Sequence, residues 1–221
     1  MTAIKKTLRV IFEDPHLIVV DKPVGQLVIP GRGEEQGTLL VDEVSSHIRK
    51  KAYVVHRIDR ETSGLVAFAK DAPTHRALNL LWEGREVGKT YLGWVQGVPD
   101  PREGRIDSPL KTFGSGRVGV DPKGKPSQTI YRVLKVDESP DSTGSRGSVS
   151  LLELDLLTGR RHQIRVHLFR LGHPLLGDPL YGDPLPVGGY PRLMLHAYRL
   201  TLPWESKTLS VQVDPPTDFH P

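Results

Sequence analysis

The chain has 221 residues, of which 37% are hydrophobic and 25% are charged, and its formal net charge is +4. This composition excludes wholesale disorder, and the length favours one catalytic domain covering residues 1–221. No apolar run reaches the roughly 20 residues of a membrane span, and the first ten residues lack a signal-peptide core, so we expect a cytoplasmic protein with no membrane partner. The absence of cysteine excludes disulfides, thiolate metal sites and a cysteine nucleophile.

Two short strands are predicted first, at residues 7–12 and 17–20. The second runs into a sharp turn shaped by Pro23 and Gly25, which places Lys22 at the edge of a cleft or, alternatively, leaves it as a solvated lysine in a turn. A helix is then predicted over residues 38–50, with Thr38 as its N-cap.

The next stretch, residues 53–70, has the sequence YVVHRIDRETSGLVAFAK. Two apolar segments predicted to be strands flank a charged loop in which Asp59 lies between Arg57 and Arg60, and a tight turn is predicted at Thr62-Ser63-Gly64. Burying an ion costs several kcal/mol, as an order of magnitude, so this carboxylate is a candidate functional group. The alternative is a structural ion pair that closes a hairpin.

A helix is predicted to start at Asp71-Ala72-Pro73 and to end at Gly88-Lys89. KTYLGWVQG at 89–97 is predicted to be a strand that carries Tyr91, Gly93 and Val95 on one face. Residues 99–125 lack a regular pattern and contain Lys111, Arg117, Lys123 and Lys125 among glycines and prolines. Two interpretations stay open for them, extended loops that lie along phosphates or a solvated hairpin region.

A predicted strand at 149–157 leads into the string TGRRHQIRVH at 158–167. With a helix beginning near His162, the core-facing residues are Ile164, Leu168 and Leu171, whereas Arg165 lies on a second face. The last two predicted strands cover residues 192–202 and 208–213.

Four of these stretches resemble, in order, the landmarks of the RluA family of RNA pseudouridine synthases. They are the Lys-Pro-x-Gly turn at Lys22, the string HRIDRETSG at 56–64, the Lys-x-Tyr at 89–91 and the His-Gln-x-Arg at 162–165. Ile58 stands where the family more often has leucine. The resemblance implies an α+β pseudouridine synthase fold, in which a mixed, mostly antiparallel sheet with flanking helices surrounds a central RNA-binding cleft.

The resemblance also implies roles for individual residues. Asp59 corresponds to the catalytic aspartate, Tyr91 to a tyrosine that lies against the target uracil, and Arg165 to an arginine that pairs with that aspartate. Leu193 or Leu195 supplies an apolar side chain beneath the uracil. The target nucleotide must flip out of the folded RNA to react, and His56 or Arg57 fills the gap that it leaves. The other candidate substrate-binding residues are Lys22, Arg60, Thr62, Lys89, Arg160 and His162.

The implied reaction moves uracil from a nitrogen to a carbon linkage, so no cofactor and no metal are expected. The implied partner is RNA, in an rRNA stem-loop, a tRNA stem-loop or both, and a monomer is the default. Many related synthases carry a small RNA-binding domain before the catalytic one, and we expect none here, so RNA affinity must come from the catalytic domain itself.

Two other classes of protein remain as alternatives. One is a non-catalytic RNA-binding protein with the same fold. The other is a metal-dependent nuclease, suggested by nine histidines and by carboxylates such as Asp178 and Asp183. The five-residue spacing of His162 and His167 disfavours a pair of helical metal ligands, which would stand four apart.

Overall fold

A computed structural model of the chain describes residues 8–31, 37–138, 147–182 and 190–221. The chain is organised in two compact units: the first comprises Met1–Val87 with Leu200–Val213, and the second comprises Gly88–Arg199 with Asp214–Pro221. A single catalytic domain stays a prediction. None of the helices in the described ranges is long and apolar enough to cross a membrane.

The elements of the first unit are β1 (Arg9–Glu13), β2 (Leu17–Lys22), α1 (Leu40–Ile48), β3 (Tyr53–Val54), β4 (Ser63–Ala69), α2 (Ala72–Glu83) and β12 (Lys207–Gln212). Strand β2 pairs antiparallel with both β1 and β4, and β3 pairs antiparallel with β4. All seven residues of β4 are buried. An apolar strand buried on both faces is an interior strand, and β4 therefore forms the centre of this unit's core.

Helix α1 begins at Leu40, and the predicted cap by the Thr38 side chain is wrong. Carbonyl oxygens of the preceding segment satisfy the first helical N–H groups instead. The N–H of Leu40 donates to the oxygen of Leu27 at 2.9 Å, and that of Val41 donates to the oxygen of Val28 at 3.2 Å. A tertiary contact thus replaces the side-chain cap.

The elements of the second unit are β5 (Gly88–Gln96), β6 (Glu103–Asp107), β7 (Leu110–Thr112), β8 (Val118–Val120), β9 (Gln128–Asp137), β10 (Val149–Leu156) and α3 (Gln163–Leu171). Strand β10 pairs antiparallel with β5 and β9, and β9 with β6. Strand β11 (Leu195–Trp204) begins in this unit, and its last residues belong to the first. The predicted α+β class with mostly antiparallel pairing is confirmed.

Residues 99–125 are not extended loops. Besides β6 they form a separate hairpin, in which Leu110 pairs with Val120 and Thr112 with Val118. The hairpin shape of this stretch is therefore confirmed, whereas contact of its cations with phosphates stays a prediction. Its strands have only three residues each, too few to give a recognisable alternation in the sequence.

Helix α3 is buried over six consecutive residues, from Gln163 to Leu168. Ile164 and Leu168 are buried as predicted, but Leu171 is 38% exposed, so its predicted core position is wrong. Leu171 is the last residue before Gly172, whose φ of 90° ends the helix. A helix buried on several sides must also bury Arg165, which the amphipathic pattern had placed outside the core.

Candidate active site

Asp59 occupies the first position of a tight turn in the first unit. The N–H of Thr62 donates to the carbonyl oxygen of Asp59 at 3.1 Å, so the turn spans residues 59–62. The turn predicted at residues 62–64 is misplaced, because Ser63 and Gly64 already belong to β4. The Asp59 side chain is half-buried, and Arg57 and Arg60 are exposed.

Lys22 holds this turn in place from the interior. Its side chain is fully buried, and Nζ donates to the carbonyl oxygens of Pro23 and Gln26, both at 2.9 Å, and of Arg60 at 3.1 Å. The Arg60 oxygen also accepts from the N–H of Gly25 at 2.8 Å. The interpretation of Lys22 as a solvated lysine is therefore wrong: its ammonium group connects the Lys-Pro-x-Gly turn to the Asp59 turn. A direct contact with substrate stays a prediction.

His56 makes its contacts within the first unit. Its Nε2 accepts the N–H of Ala67 at 2.9 Å, which puts the ring proton on Nδ1. The ring stacks on Trp82, with 5.0 Å between the ring centroids. Thr62 is also buried. Of the two candidates for filling the gap behind a flipped nucleotide, Arg57 is the exposed one, and the role stays a prediction for both.

Tyr91 lies on β5 in the second unit and is half-buried. It packs against an apolar cluster that includes Val95, Leu193 and Leu195. Leu193 is 2% exposed and Leu195 is 4% exposed. The structure thus brings Tyr91 together with both leucines, and the choice between them stays open.

Arg192 fixes the segment that carries these leucines, a role that the sequence did not indicate. This arginine is buried. Its Nε donates to the carbonyl oxygen of Leu193 at 3.1 Å, and its Nη2 donates to that of Leu195 at 3.3 Å. The segment is therefore held through its backbone, which leaves the leucine side chains in the apolar cluster.

Arg165 forms a buried ion pair with Asp178. Nε donates to Oδ2 at 2.8 Å and Nη2 donates to Oδ1 at 2.7 Å, and both side chains are 1% exposed. Oδ1 of Asp178 also accepts the N–H groups of Leu180 and Tyr181, at 2.9 and 3.1 Å. Two parallel hydrogen bonds fix the plane of a guanidinium, so Asp178 sets the orientation of Arg165. The predicted pairing of Arg165 with Asp59 stays a prediction.

His162 joins this cluster through Tyr181. It precedes α3 with a φ of 54°, and its Nδ1 lies 2.8 Å from the hydroxyl of Tyr181. The same hydroxyl accepts the N–H of Val118 at 3.1 Å. Burial raises the pKa of Tyr181, so the phenol keeps its proton and can donate it to His162. Tyr181 thus connects the β7–β8 hairpin to the start of α3.

Arg160 and Lys89 lie near the segment that precedes α3 in the second unit. The N–H of Arg160 donates to Oε1 of Gln163 at 3.0 Å, and its Nε donates to the oxygen of Pro126 at 3.4 Å. Lys89 Nζ is 4.0 Å from the point where a Cβ on Gly159 would stand. These two predicted substrate-binding cations therefore belong to one region of the surface.

Comparisons with known proteins agree with the resemblance. Residues 16–169 match the family model described as RNA pseudouridylate synthase. The dual-specificity RNA pseudouridine synthase RluA of Escherichia coli is 38% identical over 222 residues, covering 96% of this chain and 94% of that protein. The ribosomal large subunit pseudouridine synthase D of Nitrosomonas europaea is 40% identical over 209 residues, covering 88% of this chain and 58% of that protein.

A solved structure supports the same assignment at the level of the fold. The human RNA pseudouridylate synthase domain containing 1 superposes with a TM-score of 0.79 at 25% identity, over 95% of this chain and 84% of the human chain.

Fold and sequence together place the protein among the RNA pseudouridine synthases, a class of isomerases that act on RNA. Within that class the chain belongs to the RluA family. The predicted family and fold are confirmed. The nuclease hypothesis finds no support, because Asp178 is engaged by Arg165, and Asp183 lies outside the described residues.

Proposed function

We propose that the protein converts specific uridines of structured rRNA, tRNA or both into pseudouridine, with Asp59 as the catalytic carboxylate. The observation that carries this proposal is the position of Asp59 at the start of a turn that the buried Lys22 holds through the Arg60 carbonyl. A half-buried carboxylate on a fixed backbone has the placement that a nucleophile or general base requires.

The reaction breaks the bond between the ribose C1′ and N1 of uracil and forms a bond between C1′ and C5. The proton on C5 leaves, and N1 gains one, so the composition of the nucleotide is unchanged. No oxidant, reductant or energy source enters this balance. The protein has three tasks. It must attack the sugar or the ring, or remove a proton from it; it must hold the detached uracil; and it must move the proton that leaves C5.

The residues of the second unit fit the other two tasks. We assign to Tyr91 the tasks of contacting the uracil ring and assisting the transfer of the C5 proton. The apolar side chain of Leu193 or Leu195 supports the ring. We assign to Arg165 the pairing with the catalytic carboxylate, with Arg57 and Arg60 as the alternative cations, since opposite charges attract. Asp178 acts indirectly, by orienting Arg165.

A uracil inside a folded stem-loop must be unstacked before it can react, which costs a few kcal/mol, as an order of magnitude. Arg57 is exposed and immediately precedes the buried Ile58. We assign to Arg57 the filling of the space that the flipped nucleotide leaves. Monomeric state and cytoplasmic location stay predictions.

The test compares wild type with Asp59→Asn on stem-loop transcripts and measures pseudouridine formation. We expect the substitution to lower the rate by a factor of about 10³ or more while RNA binding persists. Glu61→Gln, which removes a carboxylate from the same turn, is the matched control and should stay active. RNA binding without pseudouridine formation by the wild type would favour the non-catalytic alternative.

The RNA target requires a separate experiment. Pseudouridine would be mapped across total RNA from cells with and without the gene, and cells that express only Asp59→Asn would serve as the control. Sites that disappear in both mutant strains identify the substrate uridines.

A further inference from the structure

A basic cavity lies beside the β7–β8 hairpin, entirely within the second unit. It has a volume of about 500 Å³, within the usual range of ligand sites. Its lining contains five cationic side chains and two apolar ones from the hairpin. The lining residues are Leu110, Lys111, Thr112, Val118, Lys123, Gly124, Lys125, Gly159, Arg160 and Arg161. None of these ten described residues is acidic or aromatic.

The backbone brings the three lysines together. Leu110 and Lys125 exchange two hydrogen bonds, at 2.9 and 2.8 Å, and this pairing places Lys125 beside the strand that carries Lys111. A Cβ on Gly124 would lie 2.6 Å from the carbonyl carbon of Leu110. Only glycine permits this approach, so the spacing of Lys123 and Lys125 around Gly124 is built into the fold.

The arginines reach the same cavity from the segment before α3. Arg160 is held by its contacts with Gln163 and Pro126. Lys89 adds a further positive charge next to Gly159. The acid Asp121 stands nearby, with its Oδ2 3.4 Å from Lys111 Nζ. The cavity therefore retains a large excess of positive charge.

The chemistry of the lining indicates which part of an RNA fits. Exposed lysines and arginines suit phosphate oxygens, which attract them without regard to sequence. The apolar floor of Leu110 and Val118, both 4% exposed, suits the carbon atoms of a ribose. Since no aromatic ring lines the cavity, it offers no platform on which a base would stack.

We propose that this cavity binds the sugar-phosphate backbone of the substrate RNA, at nucleotides other than the reacting uridine, and contributes affinity without reading sequence. This proposal rests on the proposed function, because it takes from that function the identity of the ligand as RNA. It predicts that the cavity governs binding of RNA and leaves the chemical step unchanged.

The test compares Lys123→Gln/Lys125→Gln with Lys50→Gln/Lys207→Gln, a control that removes the same charge at exposed positions outside the cavity. Affinity for a stem-loop transcript and for a uridine homopolymer is measured as a function of salt concentration. We expect the cavity variant to bind both RNAs roughly tenfold more weakly at about 0.1 M salt, and the plot of log affinity against log salt to flatten by about 1.5. Its kcat at saturating RNA should equal that of wild type.

Several results would overturn the proposal. If the two double variants bind RNA with the same affinity and salt dependence, the cavity has no special role. If the affinity falls for only one of the two RNAs, the cavity recognises sequence and not the backbone. Competition by inorganic phosphate or a mononucleotide, with RNA affinity unchanged in the variant, would identify a small-anion site.

If the double variant unfolds, the single variant Lys123→Gln is used instead, since the Lys123 side chain is exposed. Because binding is measured without turnover, failure of the proposed activity would be seen separately.

Discussion

Arg165 and Asp178 are joined by two hydrogen bonds, of 2.8 Å from Nε and 2.7 Å from Nη2, with both side chains 1% exposed. A buried pair of this kind is expensive to break, because the remaining charge stays in the interior without its partner. The relationship gives an arginine on α3 a fixed orientation that the sequence of α3 alone would not specify.

Asp178→Asn should therefore affect both stability and activity. We expect the free energy of unfolding to fall by about 3–5 kcal/mol and kcat to fall while KM for RNA changes little, because a positioning residue acts through Arg165. Urea unfolding and single-turnover kinetics measure the two effects. Tyr181→Phe is the control: it keeps the ring 5.3 Å from the guanidinium and should cost about 1–2 kcal/mol. Unchanged kcat in a folded Asp178→Asn protein would contradict the positioning role.

Lys22→Met tests the internal support of the Asp59 turn. The substitution removes an ammonium group that donates to three carbonyl oxygens. We expect a loss of about 2–4 kcal/mol in unfolding free energy, since several acceptors lose their donor, together with a reduced kcat. Lys50→Met, at an exposed site, should leave both quantities within experimental error. Full activity in Lys22→Met would show that the turn keeps its shape without this lysine.

Arg57→Ala tests the gap-filling role. The exposed side chain should matter only when a nucleotide leaves a stack. The rate on a stem-loop is therefore expected to fall about tenfold or more, and the rate on an unstructured RNA should change much less. Arg76→Ala, an exposed arginine on α2, is the charge-matched control. An equal rate loss on both RNAs would remove the base-flipping role.

The lowered pKa of Asp71 predicts that the stability of the fold depends on pH. A hydrogen bond with His16 and the N–H of Thr74 hold the pKa of Asp71 at about 2, below its ordinary value of 3.8. Because the folded pKa is the lower one, this group stabilises the fold fully above about pH 3.8, and the contribution disappears as the pH falls towards 2. The side chain is 31% exposed, so we expect about 1 kcal/mol.

Urea unfolding between pH 2 and 5 measures this contribution. The stability difference between wild type and Asp71→Asn should shrink as the pH falls through that window. His16→Ala is the control: it removes the larger cause of the pKa shift and keeps the helix cap, in which Asp71 accepts the N–H of Thr74, so an intermediate difference is expected. A difference that does not change with pH would contradict the assignment.

The sequence by itself determined the family, the α+β class and most strand positions. HRIDRETSG and HQIR are local strings, and an alternating strand such as β10 is set by near neighbours. Asp71 at the start of α2 is a local cap, so it was predictable, whereas α1 has no side-chain cap and its start was misplaced.

Only the tertiary structure decided which polar groups are buried and with what partners. Lys22 finds the carbonyl of Arg60, 38 residues away, and Arg165 finds Asp178 beyond the end of its helix. The basic cavity is likewise assembled from segments separated in sequence. The physical reason is that a buried charge is stable only where distant parts of the chain bring it a partner, and no local pattern records which parts will meet.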